Sequence, residues 1–293
     1  MSTPRFLTLP PGVERIDVAT SSEPIAALAA SPAAGGCELY AAVLVPGFTG
    51  SKEDFIGVLQ TLAQAGRRVY AIDLPGQYQS PGSNDPSAYS CGALGEAVAN
   101  FIDSVDEGPV HLLGHSFGGL VTRETVLAAE VPLLSHTLMS SGPGGVTGRS
   151  ETNARQLMAL LGAEPTTELM AQLWWAYFEE PQKASGLPEE IHLFLRERML
   201  GNHPLGLIRM AEEVTSAADR TDELAAVDLP KLVLYGEDDD AWTPEAQADM
   251  AKRLHAQRVV IPGAAHSPNV EAPETTASAL TAFWNAAEAP YRR

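Results

Sequence analysis

Val110-His111-Leu112-Leu113-Gly114-His115-Ser116-Phe117-Gly118-Gly119-Leu120-Val121 is the stretch on which the reading of the fold depends. Val110 to Leu113 reads as a short buried strand, and Leu120, Val121, Leu127 and Ala128 continue as a helical pattern. The Gly-x-Ser-x-Gly sequence therefore lies on a turn from strand to helix. In a chain with 25 glycines the letters alone carry little weight, and the context carries most of it. Small residues on both sides of Ser116 permit a tight, strained turn. Such a turn lifts the serine hydroxyl above a sheet and aims a helix N-terminus at developing negative charge.

Outward from this turn, short apolar runs recur between helical patterns: Leu39 to Pro46, Arg68 to Leu74, His136 to Ser140, Lys231 to Tyr235 and Arg258 to Ile261. Parallel strands buried on both faces read this way. Ser51 and Asp54 have capping-box spacing ahead of Phe55, Ile56, Val58, Leu59 and Leu62, which predicts a helix that Gly66 stops. Thr243-Pro244-Glu245 opens another helix, to about Leu254, and a last one runs from about Pro273 to Ala287. The alternation predicts an α/β fold with a mostly parallel central sheet covered by helices on both faces. Pro32 to Gly36 reads as a turn before the strand at Leu39.

From about Gly145 to Ala218 no strand run occurs and the patterns are helical. Residues 145–218 are accordingly expected to form a helical lid inserted into one domain spanning 1–293. The lid carries Trp174, Trp175, Tyr177 and Phe178, which are too closely spaced to share one helical face. Some should anchor the lid and others line a substrate pocket.

Composition narrows the function classes. Apolar residues make up 45% of the chain and charged residues 19%, close to globular averages, and no stretch is long and apolar enough to span a bilayer. A formal charge of −18 opposes binding to nucleic acid, which needs clustered Lys and Arg. The N-terminus lacks the apolar region of a secretory signal, and Cys37 and Cys91 are too few for a disulfide framework, so the cytoplasm is the expected location. No histidine spacing announces a metal, and no cofactor is expected. Lys52 reads as a solvated first-turn residue, Arg123 and Glu124 as helix surface or packing. His111, His115, His136, His192, His203 and His255 read as packing or surface histidines.

A serine needs a base and an orienting acid to become a nucleophile. His266 lies in Gly263-Ala264-Ala265-His266-Ser267-Pro268, between the last strand run and the last helix. The acid falls in Gly236-Glu237-Asp238-Asp239-Asp240, where three aspartates are adjacent. With these motifs in the order Ser, Asp, His, the chain resembles the α/β-hydrolase family, in its serine-nucleophile branch, from about Leu39 to Trp284 apart from the lid. Val45-Pro46-Gly47-Phe48 and Asp73-Leu74-Pro75-Gly76 also match family turns. The resemblance implies that Ser116, Asp239 and His266 form the triad, the acid lying three residues after Gly236. It further implies that the backbone N–H groups of Phe48 and Phe117 form an oxyanion hole. Pro46 and Gln77 stand where many relatives have histidine, and Leu120 replaces an arginine of the family's menaquinone-pathway lyase.

The expected activity is hydrolysis of a small or medium uncharged carboxylic ester through an acyl-enzyme. The same triad also suits a thioesterase, a C–C bond hydrolase or a cofactor-free perhydrolase. A biosynthetic lyase or cyclase, and a ligand-binding receptor with little turnover, stay open.

Overall fold

The computed structural model describes residues 2–32, 39–128 and 130–291. Residues 33–36 of the expected turn, and Cys37, lie outside them. Eight strands form one sheet: β1 (Val13–Val18), β2 (Ile25–Ala30), β3 (Leu39–Val45), β4 (Arg67–Ile72), β5 (Val110–His115), β6 (Leu133–Met139), β7 (Lys231–Gly236) and β8 (Gln257–Ile261). Their spatial order is β1-β2-β4-β3-β5-β6-β7-β8. From β4 to β8 every pairing is parallel, while β1 and β2 join antiparallel at one edge. The six expected strands are all present. β1 and β2 were not anticipated, because alternation in β1 is broken by charged residues and β2 is Ile-Ala-Ala-Leu-Ala-Ala, of low strand propensity. Pairing with β4 makes β2 a strand, and it is buried throughout.

Helices α1 (Ile56–Gln64), α2 (Cys91–Val105) and α3 (Phe117–Ala128) alternate with the first parallel strands. Ser51 and Asp54 form the expected capping box, closing a 3-10 turn over Lys52–Phe55 that leads into α1. Between β6 and β7 run α4 (Gly148–Leu161), α5 (Thr167–Leu173), a π-helical turn at Trp174–Phe178, α6 (Glu179–Ala184), α7 (Glu189–Gly201), α8 (Pro204–Ser216) and the short α9 (Thr221–Ala225). Then α10 (Pro244–Arg253), α11 (Pro268–Glu271) and α12 (Pro273–Glu288) complete the chain. Thr243 caps α10 by accepting the Ala246 N–H at 3.3 Å.

Alternate residues of β3 divide between two cores. Ala41, Val43 and Val45 belong to one core, to which α2, α3 and α10 contribute residues such as Phe101, Leu120 and Met250. Ala42 and Leu44 belong to the other, to which α1 and α12 contribute Leu59, Leu62, Leu280 and Trp284. A strand buried on both faces shows no polar alternation, which is why these runs read as continuously apolar. A third core inside the helical insertion joins Met170, Leu173, Trp174, Ile191, Phe194 and Leu195.

Lys52 is a correction to the expectation of a solvated side chain. It is 1% exposed, with Nζ 2.7 Å from Asp73 Oδ2 and 3.2 Å from Glu53 Oε1, over the ring of Tyr78. Its position in a first turn hid this, because Asp73 is supplied by the end of another strand. Arg123 is likewise buried, donating to the carbonyls of Pro143 and Ala218.

His111 and His136 are buried in the sheet, paired with Ser135 Oγ at 2.8 Å and Thr122 Oγ1 at 2.9 Å. Burial, reinforced by nearby positive charge, pushes both down to about 3. A histidine depressed on folding is neutral in the native state, so its contribution to stability is present above the unfolded value near 6.5 and is lost as pH falls below it. Each should remove about 2 kcal/mol between pH 7 and pH 5. Urea unfolding of His136→Asn at both pH values should show a smaller acid loss than wild type by about that amount. An unchanged difference would refute the assignment.

Candidate active site

The elbow is built by backbone crowding. A Cβ on Gly114 would meet the Gly118 carbonyl and Thr122 Oγ1, and one on Gly118 would meet the carbonyls of Val45 and Pro46. Only glycine lets β3, β5 and α3 approach this closely. Ser116 itself is held at φ 55°, a left-handed conformation unusual for a non-glycine residue, with its N–H bonded to the Met139 carbonyl at 2.9 Å. Its side chain stands at the top of the sheet, 8% exposed.

His266 reaches it from the loop after β8. Its Nε2 is 2.9 Å from Ser116 Oγ, and its Nδ1 is 2.9 Å from Asp239 Oδ1. Asp239 follows β7 and is buried. Its Oδ1 also accepts the Ala241 N–H at 3.0 Å, and its Oδ2 accepts Gln247 Nε2 at 2.9 Å. Burial alone would raise the carboxyl, but the His266 bond and charge, with the Ala241 and Gln247 donors, outweigh it and hold the pKa below the usual value. The geometry thus brings the three sequence-predicted residues into one hydrogen-bonded series. Asp238 and Asp240 are exposed and line the cavity above it.

Phe117 opens α3, so its N–H has no acceptor within the helix, by position. The Phe48 backbone lies in the loop after β3, where a Cβ on Gly47 would come within 2.9 Å of Ser116 Cβ. Phe117 thus directly follows the serine in the chain, and Phe48 lines the same cavity.

Sequence reasoning missed two supporting residues. Gln247 bridges Asp239 Oδ2 and the Trp242 carbonyl, and His115 is 2.8 Å, through Nε2, from the His266 carbonyl. Burial, then the neighbouring His266, pushes His115 down to about 3. Neutral His115 therefore donates Nε2–H to that carbonyl and braces the loop. The signal for Gln247 was a polar residue within the stripe 247, 250, 251, 254 on the buried face of α10.

A cavity of about 930 Å³ opens over Ser116 and His266. Phe48, Val146, Leu157, Leu160, Tyr177 and Phe178 contribute apolar wall. The four expected aromatics separate. Trp174 is fully buried in the insertion's own core, donating Nε1–H to Glu179, and Trp175 is 55% exposed beneath the Arg196 guanidinium. Neither lines the cavity, whereas Tyr177 and Phe178 do. A π-helical turn rotates successive side chains differently from an α-helix, so this division could not be read from spacing. No group of His, Cys, Asp or Glu among the described residues could hold a metal ion. None of their helices is long and apolar enough to cross a membrane.

A parallel sheet flanked by helices, with a serine elbow facing a histidine and an aspartate, defines the architecture of the α/β hydrolases. The model of the alpha/beta hydrolase family matches residues 42–279, and the chain belongs to that family. It is 28% identical over 243 residues to the dihydrolipoyllysine-residue acetyltransferase component of the acetoin cleaving system of Pseudomonas putida, covering 82% of this chain. The match spans 62% of that relative, less than two thirds of its length. A 2-hydroxy-6-oxononadienedioate/2-hydroxy-6-oxononatrienedioate hydrolase of Cupriavidus pinatubonensis is 29% identical over 205 residues, 66% of this chain and 67% of its own. Among solved structures, a thermophilic esterase from Thermogutta terrifontis superposes with a TM-score of 0.70 at 23% identity, over 94% of this chain and 99% of its own, a likeness of fold.

Because only Asp239 touches His266, Asp239→Asn should lower turnover by about 10⁴-fold, the size of the corresponding loss in a serine protease. Asp238→Asn and Asp240→Asn should stay within a few-fold of wild type. Steady-state kinetics of the three folded variants decide between the aspartates.

Proposed function

We propose that the protein is a serine hydrolase that cleaves a small or medium uncharged carboxylic ester. The observation that carries this is the series Asp239–His266–Ser116, hydrogen-bonded at 2.9 Å at both steps and opening onto a cavity of mixed apolar and polar wall. His266 Nε2 takes the proton of Ser116 as Oγ attacks the ester carbonyl. Charge collects on the carbonyl oxygen, and the Phe48 and Phe117 N–H groups stabilise it there. Collapse of the tetrahedral intermediate expels the alcohol, which His266 protonates. Water, deprotonated by His266, then releases the acid. Throughout, Asp239 stays ionised, holding the imidazole in the tautomer with the proton on Nδ1 and offsetting its positive charge.

The preference for an uncharged substrate rests on the cavity wall. Among the described residues that line it there is no Lys or Arg, while Asp238, Asp240 and Glu271 contribute carboxylates. A substrate carboxylate would meet like charge without a partner, at a cost of about 1 kcal/mol or more per close pair. This separates the reading from the dioates named for the Cupriavidus relative. In this reading residues 145–218 act as the lid, and Tyr177, Phe178, Leu157 and Leu160 bound the acyl chain.

Ser116→Ala should fold normally and lose at least about 10⁴-fold in ester turnover, with no labelling by a fluorophosphonate. Wild-type turnover by the folded variant would sink the proposal. Tyr177→Ala should shift preference toward longer acyl chains across a p-nitrophenyl ester series, whereas Trp175→Ala should leave the profile unchanged.

A further inference from the structure

Gly47 creates a problem that Gln77 solves. Ser116 comes so close that residue 47 must lack a side chain, and a residue without Cβ leaves the following peptide plane free to rotate. That plane, Gly47 to Phe48, carries the Phe48 N–H. The next residue, Thr49, is at φ 59°, so the chain turns tightly just after that plane.

Gln77 is fully buried and both ends of its amide are engaged. Oε1 accepts the Leu74 N–H at 3.2 Å, and Nε2 donates to the Gly47 carbonyl at 2.9 Å. The two partners leave no choice of amide orientation, since a backbone N–H only donates and a carbonyl only accepts. Gly50 N–H adds a second bond to the same carbonyl at 3.0 Å. In a trans peptide the C=O and N–H of one plane point in opposite directions, and no cis bond occurs among the described residues. Fixing the Gly47 oxygen therefore fixes the Phe48 N–H on the far side of the plane. Gly47, Phe48 and Ser116 line the same cavity.

We propose that Gln77 is the positioning residue of the oxyanion site: its amide clamps the Gly47 carbonyl so that the Phe48 N–H is held toward the oxygen of the tetrahedral intermediate. The inference rests on the serine-hydrolase reading above. Gln77 touches no reacting atom and acts through the peptide plane it holds. It occupies a position where many relatives have histidine, and a neutral imidazole, with one acceptor and one donor nitrogen, can make the same bridge.

Three variants test it: Gln77→Leu removes both hydrogen bonds at similar volume, Gln77→Glu keeps the acceptor and loses the donor, and Gln77→His restores both. The readouts are kcat and KM on p-nitrophenyl butyrate, Ki for an aryl trifluoromethyl ketone, and Tm. The ketone adds to the serine as an oxyanionic hemiketal, so its Ki reports the oxyanion site. For Gln77→Leu and Gln77→Glu, kcat should fall about 10- to 100-fold, below the loss from deleting an oxyanion donor outright. KM should stay within about twofold, Ki should rise by a factor similar to the fall in kcat, and Gln77→His should recover most of both. A lower Tm with kcat and Ki unchanged in both variants would overturn the inference and make Gln77 merely structural. Fluorophosphonate labelling of wild type separates the two claims. If wild type is labelled and active but the variants match it, only the role of Gln77 falls. If wild type is neither labelled nor active on any ester, the serine-hydrolase reading falls and the role of Gln77 with it.

Discussion

The close approach of three backbones at the elbow is the constraint on which the rest depends. With glycine at 114 and 118, α3 seats against the ends of β3 and β5, and the left-handed turn at Ser116 becomes affordable. Strain of this kind costs on the order of 1–3 kcal/mol and persists only where the surroundings over-determine it. Here the surroundings are the buried parallel core, with the Met139 carbonyl accepting the Ser116 N–H from the neighbouring strand. Because strand, turn and helix are fixed together, the hydroxyl is presented at one place above the sheet, and the loops after β3, β7 and β8 converge on it.

Those loops are held by polar contacts in the interior. Lys52 and Asp73 form a buried ion pair, and Asp73 Oδ1 also accepts the Lys52 N–H, tying the turn after β4 to the turn after β3. Asp54 of that same turn pairs with Arg198 of α7 at 2.7 Å, both buried, which couples the helical insertion to the loop bearing Phe48. Removing one partner of such a pair leaves an uncompensated buried charge, which is strongly destabilising. His115 and Gln247 brace the histidine loop and the aspartate, the first through a hydrogen bond to the His266 carbonyl and the second by donating to the Asp239 carboxylate. The site is thus a set of backbone turns, each pinned by a side chain from a different part of the chain.

The cavity follows from where the insertion is anchored. Both ends of residues 145–218 return beside Trp242 and Arg123, whose Nε1 and guanidinium donate to Gly144, Pro143 and Ala218 carbonyls. The Trp242 ring centroid lies 6.3 Å from that of His266, so the residue that anchors the root of the insertion also stands beside the imidazole. The insertion has its own apolar core, and at its edge Phe178, stacked on Trp174, lines the cavity over the serine together with Tyr177.

Local rules settled much of this protein from sequence alone. Six of the strands, the capping box at Ser51, the α10 cap at Thr243 and the elbow at Ser116 were legible because each is written in neighbouring residues: apolar runs, a cap and its reciprocal acid, glycines around a serine. Ser116, His266 and the three-aspartate segment were legible for the same reason, as motifs on the turns that follow strands. What only the tertiary structure decided depends on partners distant in the chain. β2 is a strand because β4 pairs with an alanine-rich segment that has little preference of its own, and Lys52 is buried because Asp73 meets it across two loops. Among three adjacent aspartates, Asp239 alone is turned inward by the Ala241 N–H and Gln247. Among four clustered aromatics, a π-helical turn sends Trp174 into the insertion's core, Trp175 outward and Tyr177 and Phe178 to the cavity. Side-chain direction at such places is set by what packs against it, and no spacing along the chain encodes that.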